Sequence, residues 1–204
     1  MAVGTSRIEA FSDGVFAIAS TLLILDIRVP HGGVEGGLWT ALAALWPSYF
    51  AFALSFFVIL VTWITHHDLM QLVRAPNRAV MLANGCALLY VTFIPFPTAV
   101  LAANLGGSEI STAVTFYCGT FVFGSAMSNL LVATLVRGDC FHTEVDPRII
   151  AGIQRSLRIT FSIYVVATLL ALVLPWLALA LNVAVRLYIL SVRYQPTPSA
   201  PRHH

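Results

Sequence analysis

Apolar residues arrive in this chain in blocks, several of them longer than the roughly 18–20 residues that carry a helix across the hydrocarbon core of a bilayer. Such blocks leave few options. In lipid, every backbone N–H and C=O must find a partner within the protein, and uninterrupted apolar blocks of this length meet that demand as helices. The expected fold class is therefore an all-α membrane protein. Composition agrees: of 204 residues, 58% are hydrophobic and 10% charged, against about 25% charged in a typical soluble domain. Too few polar groups remain to cover a water-exposed surface.

Punctuation between the blocks predicts six spans. They run over about Ile8–Val29, Leu38–His67, Ala79–Ala103, Ile110–Val136, Ser156–Leu174 and Trp176–Val192. Pro30-His31-Gly32-Gly33 closes the first, Arg74-Ala75-Pro76-Asn77-Arg78 separates the second from the third, and Asn104 to Glu109 separates the third from the fourth. The most polar loop is Arg137 to Arg148, and Pro175 alone divides the last two spans into a tight hairpin. Pro95 and Pro97 are expected to kink or end a helix inside span three, because proline lacks the N–H that the helix needs. Residues 1–194 are expected to form one six-helix transmembrane unit, and 195–204 a disordered Pro-rich tail. The first block holds an acid and a Ser-Asp pair, and no small-residue cleavage site follows, so the first helix is expected to stay in the mature chain. Cys86, Cys118 and Cys140 lack metal-ligand spacing and, in a membrane setting, do not form a disulfide framework.

Arginine placement orients the bundle. Arg7, Arg74, Arg78, Arg137, Arg148, Arg155, Arg193 and Arg202 fall at the amino end, in the second and fourth loops, or in the tail. The odd loops carry only Glu35 and Glu109, with Arg28 at the end of span one. By the positive-inside rule both termini are cytoplasmic, and an even number of spans agrees. Trp39, Trp46 and Trp176 are candidate interface anchors. No motif repeats along the chain, so a pore requires several copies of it.

Span one differs from the others in chemistry. Glu9, Ser12 and Asp13 stand near its cytoplasmic end and Asp26 and Arg28 near its other end. At about 1.5 Å per residue, Asp13 lies roughly 9 Å along the axis from Arg7. A carboxylate at the edge of hydrocarbon does not persist unpaired: it costs about 2.5–3.5 kcal/mol at span centre and less near an interface. Two readings follow. Ser12 and Asp13 form a structural knot with neighbouring helices, or they contact an ion directly; the first accounts for the need to satisfy buried polar groups. At roughly 100° per residue, Phe11, Ile18, Leu22 and Leu25 form a narrow stripe, flanked by Gly14 and Thr21. Asp13, Phe16 and Ser20 point the other way. Such a stripe ordinarily faces lipid or another helix, and periodicity alone does not make it a pore.

Trp63, His66, His67 and Asp68 end span two in the same leaflet as Ser12 and Asp13. Adjacent helix positions diverge by about 100°, so His66 and His67 do not readily share one metal ion. One of the two, with Trp63, is expected to hydrogen-bond the Ser12/Asp13 knot, and Asn84 is a further candidate partner. Nucleotide loops, intramembrane Ser-His or paired-Asp arrangements and His-Glu-x-x-His segments are absent from the sequence, so no enzyme is indicated. The Thr-Val-Gly-Tyr-Gly carbonyl filter is absent as well.

The run Arg7-x-x-x-Phe11-Ser12-Asp13-Gly14-Val15-Phe16-Ala17-Ile18-Ala19-x-Thr21-Leu22-Leu23 closely resembles the first-helix signature of the endolysosomal potassium channel family (transmembrane protein 175 type), in its bacterial branch. The resemblance extends to Trp63-x-x-His66-His67, Asn84 and Phe93-Ile94-Pro95-Phe96-Pro97-Thr98. It implies a homotetramer of six-helix subunits in a bacterial inner membrane, with span one of each copy lining a central pore. It implies a hydrophobic constriction at Ile18, Leu22 and Leu25, with Ile18 the narrowest ring, and a role for Thr21 in preferring potassium over sodium. Arg7, Ser12, Asp13, Trp63, His67 and Asn84 would form the network that holds the pore helix. The implied function is passive conduction of K+ and other monovalent cations with modest selectivity over Na+, with no cofactor beyond the permeant ions and no nucleic-acid partner. Asp26 and Arg28 at the outer mouth are not explained by the motif. A proton-coupled small-solute transporter and a non-conducting membrane scaffold are the competing readings; the unbroken first span and the missing repeats count against the transporter.

Overall fold

A computed structural model describes residues 5–30 and 37–191; the expected tail and the loop charge Glu35 lie outside the described residues. The elements, in chain order, are α1 (Thr5–Leu22) followed by a 3-10 turn (Leu23–Asp26), α2 (Gly37–Ala44), α3 (Trp46–Gln71), α4 (Arg78–Phe93), α5 (Pro95–Asn104), α6 (Ile110–Arg137), α7 (Pro147–Ala171) and α8 (Pro175–Ser191). Among the described residues, five helical stretches are long and apolar enough to cross a membrane: Thr5–Asp26, Trp46–Gln71, Arg78–Asn104, Ile110–Arg137 and Pro147–Ala171. The sixth expected span, α8, is apolar but only 17 residues long, about 26 Å at 1.5 Å per residue.

Proline and small caps explain most boundaries. Span two, expected as one helix, is two. Pro47 sits in the first turn of α3, where its missing N–H costs nothing, and Leu45 ahead of it leaves helical geometry with ψ 6°. Span three breaks at Ile94, where Pro95 opens α5. Asn77 caps α4, its side chain accepting from Val80 N–H at 3.0 Å. Asp146 caps α7 by accepting from Arg148 N–H at 2.8 Å, and Pro147 follows at the first helical position. Helix α7 therefore starts at Pro147 and not at the expected Ser156. Its first turns carry Arg148 and Arg155, so they are helical without being apolar and a hydropathy reading passes over them.

Helix α6 is the axis of the bundle, packing on α4, α5, α7 and α8, while α1 packs on α3 and α4. The main core joins Phe16 of α1 and Leu23 of the 3-10 turn to Val58, Leu88, Val91, Tyr117, Phe121 and Tyr164. A smaller cluster, including Met70, Val73, Val80, Leu135 and Phe141, seals the end that carries the α3–α4 and α6–α7 loops. There the two loops are joined by backbone bonds, Arg74 N–H to Cys140 C=O at 2.8 Å and His142 N–H to Leu72 C=O at 3.0 Å. Trp39, Trp46 and Trp176 are exposed, and Trp176 meets Phe50 edge-on with ring centroids 6.1 Å apart, near the starts of α8 and α3. Buried hydroxyls pair along α3, α5 and α6: Thr98 donates to Ser55 at 2.7 Å, and Ser55 shares a 2.9 Å bond with Tyr117.

Candidate functional site

Helix α1 has one face packed within the chain and one exposed. Ile8, Ser12, Phe16 and Ala19 are buried, and Leu23 continues the row in the 3-10 turn; the spacing of three and four residues is that of one helical face. Phe11, Ile18, Leu22 and Leu25 are 65%, 61%, 42% and 71% exposed. Bulky side chains thus stand in an exposed row on the outer face of the chain. Thr21 lies beside them, exposed, and its hydroxyl donates back to Ile18 C=O at 2.9 Å. Gly14 is open, with nothing within 4 Å of an added Cβ.

Polar groups fix the inner half of this helix. Asn84 of α4 donates its amide N–H to Ser12 Oγ at 3.1 Å. The same amide's oxygen takes a 2.8 Å hydrogen bond from His66 Nε2, which sets that nitrogen as the protonated one. Ser12 and Asn84 are both buried, so this chain of three residues crosses from α1 through α4 to α3 by direct hydrogen bonds. Trp63 Nε1 donates to Asp13 Oδ1 at 2.8 Å, tying the flank of α1 to α3. Phe16 packs against the His66 ring at 5.5 Å.

His66, and not His67, therefore occupies the hydrogen-bonding position beside Asn84. Register decides it: His67 is rotated by about 100°, where its ring stacks on Trp63 at 5.9 Å and 24° and its Nε2 meets Gln71 Nε2 at 2.9 Å. The two histidines face different partners. Arg7 is exposed and makes no hydrogen bond or ion pair among the described residues. Asp26, which ends the 3-10 turn, and Arg28 beyond it are both exposed.

Two buried features are not singled out by the sequence, the Thr98–Ser55–Tyr117 hydroxyl chain and Arg186 of α8. Arg186 had a readable signal, an ionisable residue within an apolar span. The hydroxyl chain had none, since isolated Ser, Thr and Tyr in a span more often bond their own helix backbone.

Residues 7–95 match a protein-family model described as endosomal/lysosomal potassium channel TMEM175. A potassium channel of Chamaesiphon minutus is 41% identical over 187 residues, which is 90% of this chain and 92% of that protein. A potassium channel of Streptomyces collinus is 44% identical over 161 residues, 78% of this chain and 76% of that protein. The fold resembles the crystal structure of a lysosomal potassium-selective channel TMEM175 homolog from Chamaesiphon minutus, with a TM-score of 0.80 and 38% identity, covering 92% of this chain and 96% of that one.

Proposed function

The chain belongs to the endosomal/lysosomal potassium channel TMEM175 family, and from that premise we propose that it is a potassium-permeable cation channel whose constriction is made of aliphatic side chains. It is a multi-pass membrane protein of an ion-channel family and not an enzyme. In the proposed assembly four copies surround a central pore in the inner membrane of a bacterium, each contributing α1. Each subunit crosses the bilayer six times, with α8 as the sixth span and both termini in the cytoplasm.

One observation carries this reading. Ile18, Leu22 and Leu25 are exposed in a row on a helix whose opposite face is locked into the subunit. Exposed Ile and Leu on a membrane helix ordinarily face lipid; here the same helix holds the polar network that fixes its rotation, so its outward row presents a defined surface to neighbouring copies. Rings of Ile18, Leu22 and Leu25 would then form the narrow part of the pore. A ring of Ile side chains passes a hydrated ion only when the helices separate enough to wet the gap, and otherwise closes by dewetting. Without a carbonyl filter, preference for potassium over sodium is modest, with Thr21 beside the constriction as its determinant.

Passive potassium flux into vesicles containing the purified chain tests the proposal. Voltage-driven flux without saturation is expected, and Ile18→Asn is expected to raise it several-fold while lowering the potassium-to-sodium ratio. Saturable flux that needs a co-substrate would identify a transporter, and absence of flux a scaffold. Unchanged currents and ion preference in Ile18→Asn would remove Ile18 as the constriction.

A further inference from the structure

A second polar centre lies within the subunit, away from the exposed row of α1. Arg186 sits on α8 in the run Val183-Ala184-Val185-Arg186-Leu187-Tyr188-Ile189, and it is only 6% exposed. A guanidinium keeps its charge and carries five N–H donors. Two of them are used on neutral hydroxyls, Nη1 to Thr62 Oγ1 at 3.0 Å and Nη2 to Tyr90 Oη at 3.3 Å. The rings of Phe121 and Tyr164 flank it, with centroids 5.1 and 5.4 Å from Cζ. Aromatic faces and hydroxyls ease a buried charge without cancelling it. Among the described residues no carboxylate forms an ion pair with Arg186. Its Nε has no partner, and neither do the hydroxyls of Tyr164 and Ser125, which are both more than nine-tenths buried.

These three unpartnered groups belong to residues that line one cavity of about 1030 Å3. It lies between α3 and α4 on one side and α6, α7 and α8 on the other, and extends to the α6–α7 loop at Glu144 and Asp146. The α6–α7 wall is largely apolar, with Val132, Ile153 and Leu157. The cavity thus combines surplus donors and an uncompensated positive charge at depth with an apolar wall. Its size is at the upper end of the roughly 300–1,000 Å3 usual for small-molecule sites.

We propose that each subunit binds a monoanionic amphiphile here, its oxyanion on Arg186 and its apolar body along the α6–α7 wall. The oxyanion supplies the acceptors that Nε lacks, and the Tyr164 and Ser125 hydroxyls are further donors for it. Carboxylates at the outer end select against multiply charged anions by like-charge repulsion. A carboxylate and a lipid phosphodiester share the required chemistry. The cavity also reaches Phe16 and His66, so its occupant touches the buried side of the helix bearing Ile18.

Equilibrium binding of radiolabelled decanoate to the full chain in phosphatidylcholine nanodiscs, counted against empty nanodiscs, tests this. Saturable binding at one site per subunit is expected, with at least tenfold weaker binding of decanol and of inorganic phosphate. Dioleoyl phosphatidylglycerol competing for the site would identify the lipid source, and failure to compete would identify a free carboxylate. Arg186→Gln is expected to weaken decanoate at least tenfold, and so is Ser128→Phe, which fills the cavity and leaves Arg186 in place. Where Arg186→Gln no longer melts cooperatively, Ser128→Phe decides. Decanol binding as tightly as decanoate, inorganic phosphate binding as tightly, or undiminished decanoate binding in Ser128→Phe would each overturn the proposal. Binding is read without ion flux, so it stands or falls apart from the channel reading.

Discussion

The indole N–H of Trp63 meets the Asp13 carboxylate at 2.8 Å, joining α3 to the exposed flank of α1. One residue earlier on the same helix, Ser12 is held from α4 by Asn84. Consecutive positions on α1 are thus gripped from two different helices. A single contact would leave the helix free to roll about it; two contacts about 100° apart fix its rotation, and with it the direction in which Ile18 and Leu22 point.

Removing the Trp63 donor while keeping an aromatic ring measures the first grip. Trp63→Phe and Asp13→Ala are each expected to lower the free energy of unfolding by about 1 kcal/mol, between the average of about 0.6 for hydrogen bonds inside membrane bundles and the range for bonds to charged groups in water. Thermal melting of both single variants and the double variant gives the coupling. Strict additivity would show that the two side chains do not sense one another.

The histidine pair separates in the same assay. His66→Phe leaves the Asn84 amide oxygen buried without its donor, a loss of about 1–3 kcal/mol. His67→Phe keeps a ring to stack on Trp63 and gives up only an exposed contact with Gln71, so its melting temperature is expected to stay near that of the parent. A larger loss for His67→Phe would reverse the assignment.

Ser55 and Tyr117 predict an asymmetry. Tyr117→Phe leaves Ser55 still bonded to Thr98, so the loss is small, about 0.5–1.5 kcal/mol. Ser55→Ala strands a fully buried tyrosine hydroxyl, which carries the larger desolvation penalty of about 1–3 kcal/mol. Chemical denaturation of the two variants should rank them in that order.

Two glycines should respond oppositely to alanine. A Cβ on Gly124 would lie 2.5 Å from the Tyr90 ring, so Gly124→Ala must displace this buried ring, at about 1–3 kcal/mol. Gly152 of α7 has nothing within 4 Å of such a Cβ, and alanine there should stabilise by about 0.5–1 kcal/mol through helix propensity alone. Melting temperatures moving in the same direction would contradict this packing.

For ion preference the informative change is Thr21→Val. The Thr21 hydroxyl bonds only its own helix, at Ile18 C=O, so stability should be unchanged. The potassium-to-sodium permeability ratio, from reversal potentials under bi-ionic conditions, is expected to fall. An unaltered ratio would leave Thr21 without a part in selectivity.

Much of this site could be read from residue order, because helical period carries the information. The division of α1 into an anchored face with Ser12 and an outward row with Ile18, Leu22 and Leu25 follows from about 100° per residue. Which histidine faces Asn84 does not follow. It depends on the rotation of α3 relative to α4, a tertiary quantity that neither helix encodes alone. Likewise the start of α7 is a matter of an Asp-Pro cap and not of hydropathy, and Pro47 splits an apolar block that looks continuous. Arg186 shows the opposite case, a charge plain in the sequence whose meaning appears only when Phe121, Tyr164 and Tyr90 are seen around it.

The paired backbone bonds between Arg74 and Cys140 and between His142 and Leu72 have a mechanical consequence. They stitch the exit of α3 to the stretch that leads into α7, so the two loops cannot slide past each other without breaking both bonds. A pull on either loop is delivered to the foot of α3, and within about two turns of that foot stand Trp63 and His66. The chain thus carries a stiff lever at its loop end, with its short arm resting on the helix that bears the exposed Ile18 and Leu22.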